Sequence, residues 1–274
     1  MKLKLHFQLS GKRQLLPLNY QYPISSWIYK VMSAADAEFT NMLHEKGYQL
    51  ENGKNFKLFC FSKLRFPNKT WRIIPKSDRM EIWARNAFLE IGFQLPEQTE
   101  KFVIGLFKNQ ELTLGDKISQ VNMQVGQVES LAGSPITSSP TRLTTLSPLV
   151  LGLDTDEAVH EYYATPLHKD YAEVFIKNLI EKHQAAGKEK ISMEEVKFKV
   201  LQLHKNKKGE PKTELQSIKA HTTEETKVKG WYFYFELTAP AELIETGLNS
   251  GFGSMSSLGF GWCEVIEKQI ELKN

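Results

Sequence analysis

Hydrophobic periodicity runs through the same order twice along this chain of 274 residues: strand, helix, two strands, helix, strand. Residues 2–9 open the first pass. Leu3, Leu5, Phe7 and Leu9 fall on one face and Lys2, Lys4, His6 and Gln8 on the other, the alternation of a half-buried strand. Ile24, Trp27, Ile28, Val31 and Met32 follow at helical spacing and predict a helix over about 24–33. Asp36 is placed to cap a second helix that turns Phe39, Met42 and Leu43 inward and stops at Gly47. Apolar strands are expected over about 57–64, 79–85 and 88–94, then a helix from Pro96, then alternation again over 118–128.

Between Leu131 and Thr141 the composition changes to Gly, Ser, Pro and Thr, which reads as a linker. Beyond it come a strand at 142–152, a helix at about 168–184 (Tyr171, Val174, Phe175, Leu179) and strands at 196–203 and 230–238. A helix at about 240–248, a glycine-rich loop and a strand over 260–267 complete the second pass. The pattern is α+β: tandem ferredoxin-like units, β-α-β-β-α-β with an extra hairpin in the first, and a C-terminal glycine-rich loop. The expected domains are residues 1–130 and 142–274, joined by the linker 131–141.

Composition narrows the setting. Hydrophobic residues make up 41% and charged residues 24%, and no apolar stretch reaches the length of a membrane span. The N-terminus alternates from its second residue and reads as a strand rather than a signal peptide. Cys60 and Cys263, far apart and outside CxxC spacing, form neither a disulfide framework nor a zinc motif, so a cytoplasmic setting is expected. His160, His168, His183, His204 and His221 lack partners at metal-ligand spacing. Asp154, Asp156 and Glu157 read as a solvated acidic turn without the glycine and final glutamate of a calcium loop. No metal and no cofactor is expected. Net charge is only +3, but Lys63, Arg65, Lys69, Arg72, Lys76 and Arg79 crowd one segment and Lys205, Lys207, Lys208 and Lys212 another. These are either solvated loops or nucleic-acid contacts.

Gly251-Phe252-Gly253-Ser254-Met255-Ser256-Ser257-Leu258-Gly259-Phe260-Gly261 is the most specific motif: two Gly-Phe-Gly clasps around a five-residue tongue. Glycine admits positive φ and close backbone approach, and successive main-chain N–H groups hold phosphates. Gly251, Gly253, Gly259 and Gly261, with the hydroxyls of Ser254, Ser256 and Ser257, are therefore candidate phosphate contacts; the plain alternative is a turn at a sheet edge. No Lys-Ser/Thr follows, and the loop leads into a strand, so it is neither a Walker A loop nor a dinucleotide fingerprint.

The motif, set between the last helix and last strand, resembles the C-terminal signature of the repeat-associated RNA-binding (RAMP) proteins of CRISPR systems. Tyr20-Gln21-Tyr22 with Ile28-Tyr29, Leu43-His44-Glu45, Phe56-Lys57-Leu58-Phe59 and Leu146-Ser147-Pro148-Leu149 resemble, in order, the CRISPR-associated protein six family of repeat-RNA processing endoribonucleases. The residues themselves are compatible with more than one role. His44 falls at the edge of a buried stripe near a helix end, where an imidazole is either a boundary residue or a proton shuttle. Tyr29 lies off its helix's apolar stripe, and Lys57 alternates away from Leu58; packing and solvation account for them equally well.

The resemblance implies metal-independent cleavage by attack of a ribose 2′-hydroxyl, leaving a 2′,3′-cyclic phosphate and a 5′-hydroxyl. It implies His44 as general acid or base, Tyr29 as the group orienting or sharing the proton transfer, and Lys57 as stabiliser of the phosphorane. The partner it implies is CRISPR repeat RNA, precursor and processed, with other effector subunits and a second copy of the chain as further candidates and no membrane. Family tongues carry Lys or Arg, whereas residues 254–258 have neither, so the charge has moved to Lys205–Lys212 or to 63–79, or the contact is weaker. Two rivals stand beside this reading. One is a non-catalytic repeat-RNA-binding subunit of the same fold; the other is a single-strand binder stacking bases on Trp231-Tyr232-Phe233-Tyr234-Phe235.

Overall fold

The protein is described here by a computed structural model covering residues 1–133, 136, 139–153, 162–220 and 222–266. Ser134, Pro135 and Ser138 of the linker, the acidic turn at 154–157, His160, His221 and residue 267 of the last expected strand lie outside the described residues. The fold is mixed α/β with two domains, each built on its own buried cluster.

The N-terminal sheet comprises β1 (Lys2–Leu9), β3 (Phe59–Phe61), β6 (Asn86–Phe93), β7 (Glu111–Gly115) and β8 (Gln120–Leu131). Its order is β3-β6-β1-β8-β7, antiparallel throughout. Leu3, Leu5, Phe7 and Leu9 are buried, as the alternation requires, against α1 (Gln21–Ala35) and α3 (Pro96–Lys108). Helix α1 starts three residues before its predicted stripe, because Pro23 sits in the first turn, where its missing N–H breaks no bond. Helix α2 (Ala37–Glu45) is capped as expected: the Asp36 carboxylate accepts from the Phe39 N–H at 2.9 Å.

The strand expected over 57–64 is interrupted. Leu58 is buried with φ at 54°, a left-handed conformation that costs a leucine roughly 1–2 kcal/mol. The kink separates Lys57 from β3. The expected strand 79–85 joins a separate three-stranded flap, with β5 (Arg79–Ile82) between β2 (Gln14–Pro17) and β4 (Trp71–Ile73).

In the C-terminal domain, β9 (Thr141–Thr145), β10 (Lys197–Leu203), β13 (Phe233–Thr238) and β14 (Cys263–Val265) form a sheet ordered β10-β13-β9-β14. Helices α4 (Tyr171–Ala185) and α5 (Ala241–Ser250) contribute their buried faces to its core. The expected strand 230–238 divides at Tyr232. Its first residues belong to β12 (Thr226–Trp231), which pairs with β11 (Thr213–Ile218) in a hairpin that sequence periodicity does not reveal. The hairpin is amphipathic in the wrong places: Leu215 is exposed and Gln216 buried.

The domains meet through α5. Cys60 Sγ lies 3.4 Å from the Asn249 carbonyl oxygen, and the Gln94 amide donates to Thr246 Oγ1 at 3.1 Å. Helix α3 packs on α1 at Gly105, where a β-carbon would collide with the Val31 carbonyl, a main-chain atom that cannot rotate away. Gly105→Ala is therefore expected to destabilise the N-terminal domain by about 1–3 kcal/mol despite alanine's better helix propensity, read by urea denaturation.

Candidate active site

The two clasps of the glycine motif fix the tongue in place. Gly251, Gly253, Gly259 and Gly261 all have positive φ, between 73° and 88°. Phe252 is fully buried, stacked on Phe175 of α4 with centroids 5.9 Å apart. Phe260 is also buried, in a small cluster with Val150 and Val228. Burying each ring stabilises by about 1.5–3 kcal/mol, which anchors both limbs.

The loop's main chain is largely occupied within its own domain. Phe252 N–H donates to the Gly261 carbonyl at 3.0 Å, Ser254 N–H to Val150 at 2.8 Å, and Gly261 N–H to Pro148 at 2.9 Å. Leu258 and Gly259 donate to Met255 and Ser256. All four glycines are buried. The N–H groups of Gly259 and Gly261 are thus taken by internal acceptors, and what the tongue presents outward is half-buried Ser254, Met255, Ser257 and Leu258. Gly259 is required by proximity. A β-carbon there would lie 2.7 Å from the Phe61 ring and 3.5 Å from Gln21 Cβ, both in the N-terminal domain.

The tongue docks beside the three candidate catalytic residues, which meet within the N-terminal domain. Tyr29 lies on α1 with its ring edge-on to His44, centroids 4.9 Å apart, and a second edge contact to Phe59 at 5.4 Å. The Ser257 side chain of the tongue interacts with the Tyr29 hydroxyl. His44 is exposed in the last turn of α2. Lys57 Nζ donates to the His44 carbonyl at 2.6 Å, tying the kinked segment to the end of that helix. The Lys57 carbonyl accepts from the buried Gln98 amide at 2.7 Å. Burial pushes the Tyr29 phenol well above its ordinary value, against a smaller lowering by Ser257, and draws the Lys57 ammonium down.

A cleft of about 540 Å³ opens beside this cluster, between the tongue, α4 and the N-terminal segment 54–57. Ser254, Ser256 and Ser257 line it with Lys54, Lys57, Lys177 and Lys182, while Asp170 is the lining carboxylate. The other candidate RNA contacts lie elsewhere. Lys63 is ion-paired with Glu214, and Arg65 reaches Glu90 and Glu264 at 3.6 and 3.4 Å. Lys205, Lys207 and Lys208 are exposed in a turn closed by Asn206 and Glu210. In the aromatic run, Tyr232, Phe233 and Phe235 are buried, so only Trp231 and Tyr234 retain partial exposure.

Sequence reasoning missed Lys182. Its signal was legible: a lysine in register with Tyr171, Phe175 and Leu179 on the buried stripe of α4. Among the described residues no group of three or more His, Cys, Asp or Glu is placed to hold a metal, and no helix is long and apolar enough to cross a membrane.

Comparison with known proteins bears on the whole chain. Residues 15–128 match the family described as CRISPR-associated protein Cas6, N-terminal, and residues 131–265 the one described as CRISPR associated protein Cas6, C-terminal. A relative from Methanocaldococcus jannaschii, named CRISPR-associated endoribonuclease Cas6 1, is 28% identical over 97% of this chain and 93% of its own length. The CRISPR-associated endoribonuclease Cas6 of Pyrococcus furiosus is 24% identical over 91% of this chain and 83% of its own. Among solved structures, a Cas6-related protein from Pyrococcus furiosus superposes with a TM-score of 0.77 at 19% identity, covering 98% of this chain and 99% of that one. A structure described as a RAMP protein binding different RNA substrates gives 0.76 at 18% identity, over 97% of this chain and all of the other. With both halves matched in order, the chain belongs to the CRISPR-associated Cas6 family.

Proposed function

We propose that this protein is an endoribonuclease that binds CRISPR repeat RNA and cleaves precursor transcripts without a metal ion, by attack of a ribose 2′-hydroxyl on the adjacent phosphorus. The observation that carries the reading is the convergence of Tyr29, His44 and Lys57, from three separate segments, under a tongue from the other domain. The reaction leaves a 2′,3′-cyclic phosphate and a 5′-hydroxyl. The two sheets, each in the strand order of a ferredoxin-like unit, support domains at 1–130 and 142–274 joined by residues 131–141. Two free, buried thiols fit a reducing cytoplasm.

The roles follow from environment. His44, exposed at the rim, exchanges a proton with the reacting oxygens as general acid or base. Tyr29, kept neutral by burial, is a donor: it orients the reacting group and never serves as a phenolate base at ordinary pH. Lys57, a cation tied to the His44 main-chain carbonyl, neutralises charge developing on the phosphorane. Ser257 interacts with Tyr29 from across the domain boundary, which supports a contribution of the tongue to the same cluster.

Incubating the protein with repeat RNA in excess chelator tests the reading. Cleavage at one position with a cyclic phosphate end is expected, and loss of cleavage restored by magnesium would overturn the 2′-hydroxyl mechanism. Tight binding without a cut would make the chain a non-catalytic RNA-binding subunit. His44→Ala is expected to slow single-turnover cleavage by about 10²–10⁴ while RNA affinity stays within a few-fold; an unchanged rate would remove His44 from the chemistry. Gly259→Val is expected to lower the melting temperature as well as RNA affinity, because its side chain must displace Phe61 from the domain contact. A variant that melts and binds like the wild type would separate the tongue from both roles.

A further inference from the structure

Lys182 is a charge without a described counter-charge. Its side chain is 3% exposed on α4, and Nζ donates to the Gly251 carbonyl at 2.6 Å and lies 3.4 Å from Ser256 Oγ. These two bonds tie Lys182 to the first clasp and to the middle of the tongue, and leave one N–H of the ammonium to be placed. Among the described residues no carboxylate comes within ion-pair range of it. Neighbouring Glu181 is turned to the N-terminal domain, held by Lys54 at 3.0 Å and Asn52 at 3.2 Å. Burying an unpaired ammonium is costly, so a counter-anion that enters the cleft gains what the fold leaves uncompensated.

We propose that Lys182 and the serines of the tongue form a phosphate subsite for the RNA backbone, supplying from beneath the loop the positive charge that residues 254–258 lack. The inference rests on the RNA reading above and extends it to a residue outside the His44 cluster. Ser254 and Ser256 line the cleft on the tongue side and Lys57 on the other, so a phosphodiester seated there lies beside the proposed chemistry. Ser256 passes the grip on, since the next residue, Ser257, holds Tyr29.

The electrostatic surroundings agree. Cys60 on β3 and Cys263 on β14 face Lys182, but burial pushes the Cys60 thiol up to about 12 and Cys263 well above its ordinary value, so neither supplies an anion. Lys54 and Lys57 from the N-terminal domain, with Lys177 and His168, add positive or neutral groups to the cleft, against Asp170 at its edge. Burial lowers the Lys182 pKa to about 8, so the ammonium that binds phosphate predominates below that value and is lost above it.

Binding of fluorescein-labelled repeat RNA, in chelator and in a His44→Ala background, reads this directly. Affinity is expected to fall as pH rises through about 8. Lys182→Met and Lys182→Gln are each expected to weaken binding about tenfold at neutral pH, to flatten that pH dependence, and to reduce the salt slope by about one unit. The glutamine variant retains a donor for Gly251 without the charge. On the unaltered protein, calorimetry in buffers of different ionisation enthalpy should register proton uptake on RNA binding at about pH 8.5, because a bound phosphate raises the Lys182 pKa. No uptake, or folded variants that lose affinity equally at every pH with an unchanged salt slope, would reduce Lys182 to a clamp and overturn the subsite. Failure of the wild type to bind repeat RNA at all would instead overturn the RNA reading, and this inference with it.

Discussion

The approach of Gly259 to the ring of Phe61 sets everything near the cleft. A β-carbon at Gly259 would lie 2.7 Å from the Phe61 ring, too close for both to stay, and the tongue would be held off β3. That contact brings Ser257 to Tyr29 and closes one wall of the cleft lined by Lys57 and Lys182. A glycine-rich loop is commonly read as a flexible binding element. Here both limbs are nailed into the C-terminal core by Phe252 and Phe260, and the glycines serve left-handed turns and close packing. The tongue is thus a rigid part of a domain boundary, and its geometry is transmitted to the proposed chemistry by packing.

Burial is the dominant influence on the titrating groups around it. Tyr29 is moved up, Lys57 and Lys182 down, and in each case desolvation is the leading cause. Each shift favours the neutral form, so the cleft is electrostatically frustrated in one direction: the ammonium groups of Lys57 and Lys182 are held where water solvates them poorly. An RNA phosphate bound as proposed would relieve this for the two lysines and leave the phenol a donor. His44 is exposed, as its proposed proton exchange with the reacting oxygens requires.

Much of the architecture was legible in the sequence because it follows from periodicity. The alternation of Leu3, Leu5, Phe7 and Leu9 and the Asp36 cap depend on neighbours a few residues away, and both are found as read. What was not legible depends on distant contacts. Leu58 takes a left-handed conformation that its side chain disfavours, so no local rule places the break between Lys57 and β3. The β11–β12 hairpin buries Gln216 and exposes Leu215, the reverse of the pattern that flags a strand. In the site, His44, Tyr29 and Lys57 could be nominated one by one, but their proximity depends on the Leu58 kink and the α1–α2 arrangement. The hydrogen-bonding state of the loop's N–H groups was hidden for the same reason: their acceptors, Pro148 and Val150, lie about a hundred residues earlier.

Helix α4 then explains why the domains need a fixed relation at all. Its consecutive residues Glu181 and Lys182 turn to different partners: Glu181 reaches Lys54 and Asn52 of the N-terminal domain, and Lys182 the first clasp and the middle of the tongue. A rotation between domains strong enough to break the first would also move α4 relative to β3 and draw the tongue off Phe61. The Asn249 and Thr246 bonds from α5 to Cys60 and Gln94 oppose the same rotation from the other side of the loop. The proposed active site therefore belongs to neither domain. The N-terminal one supplies Tyr29, His44 and Lys57, the C-terminal one supplies the tongue and its buried charge, and only the interface holds them in register.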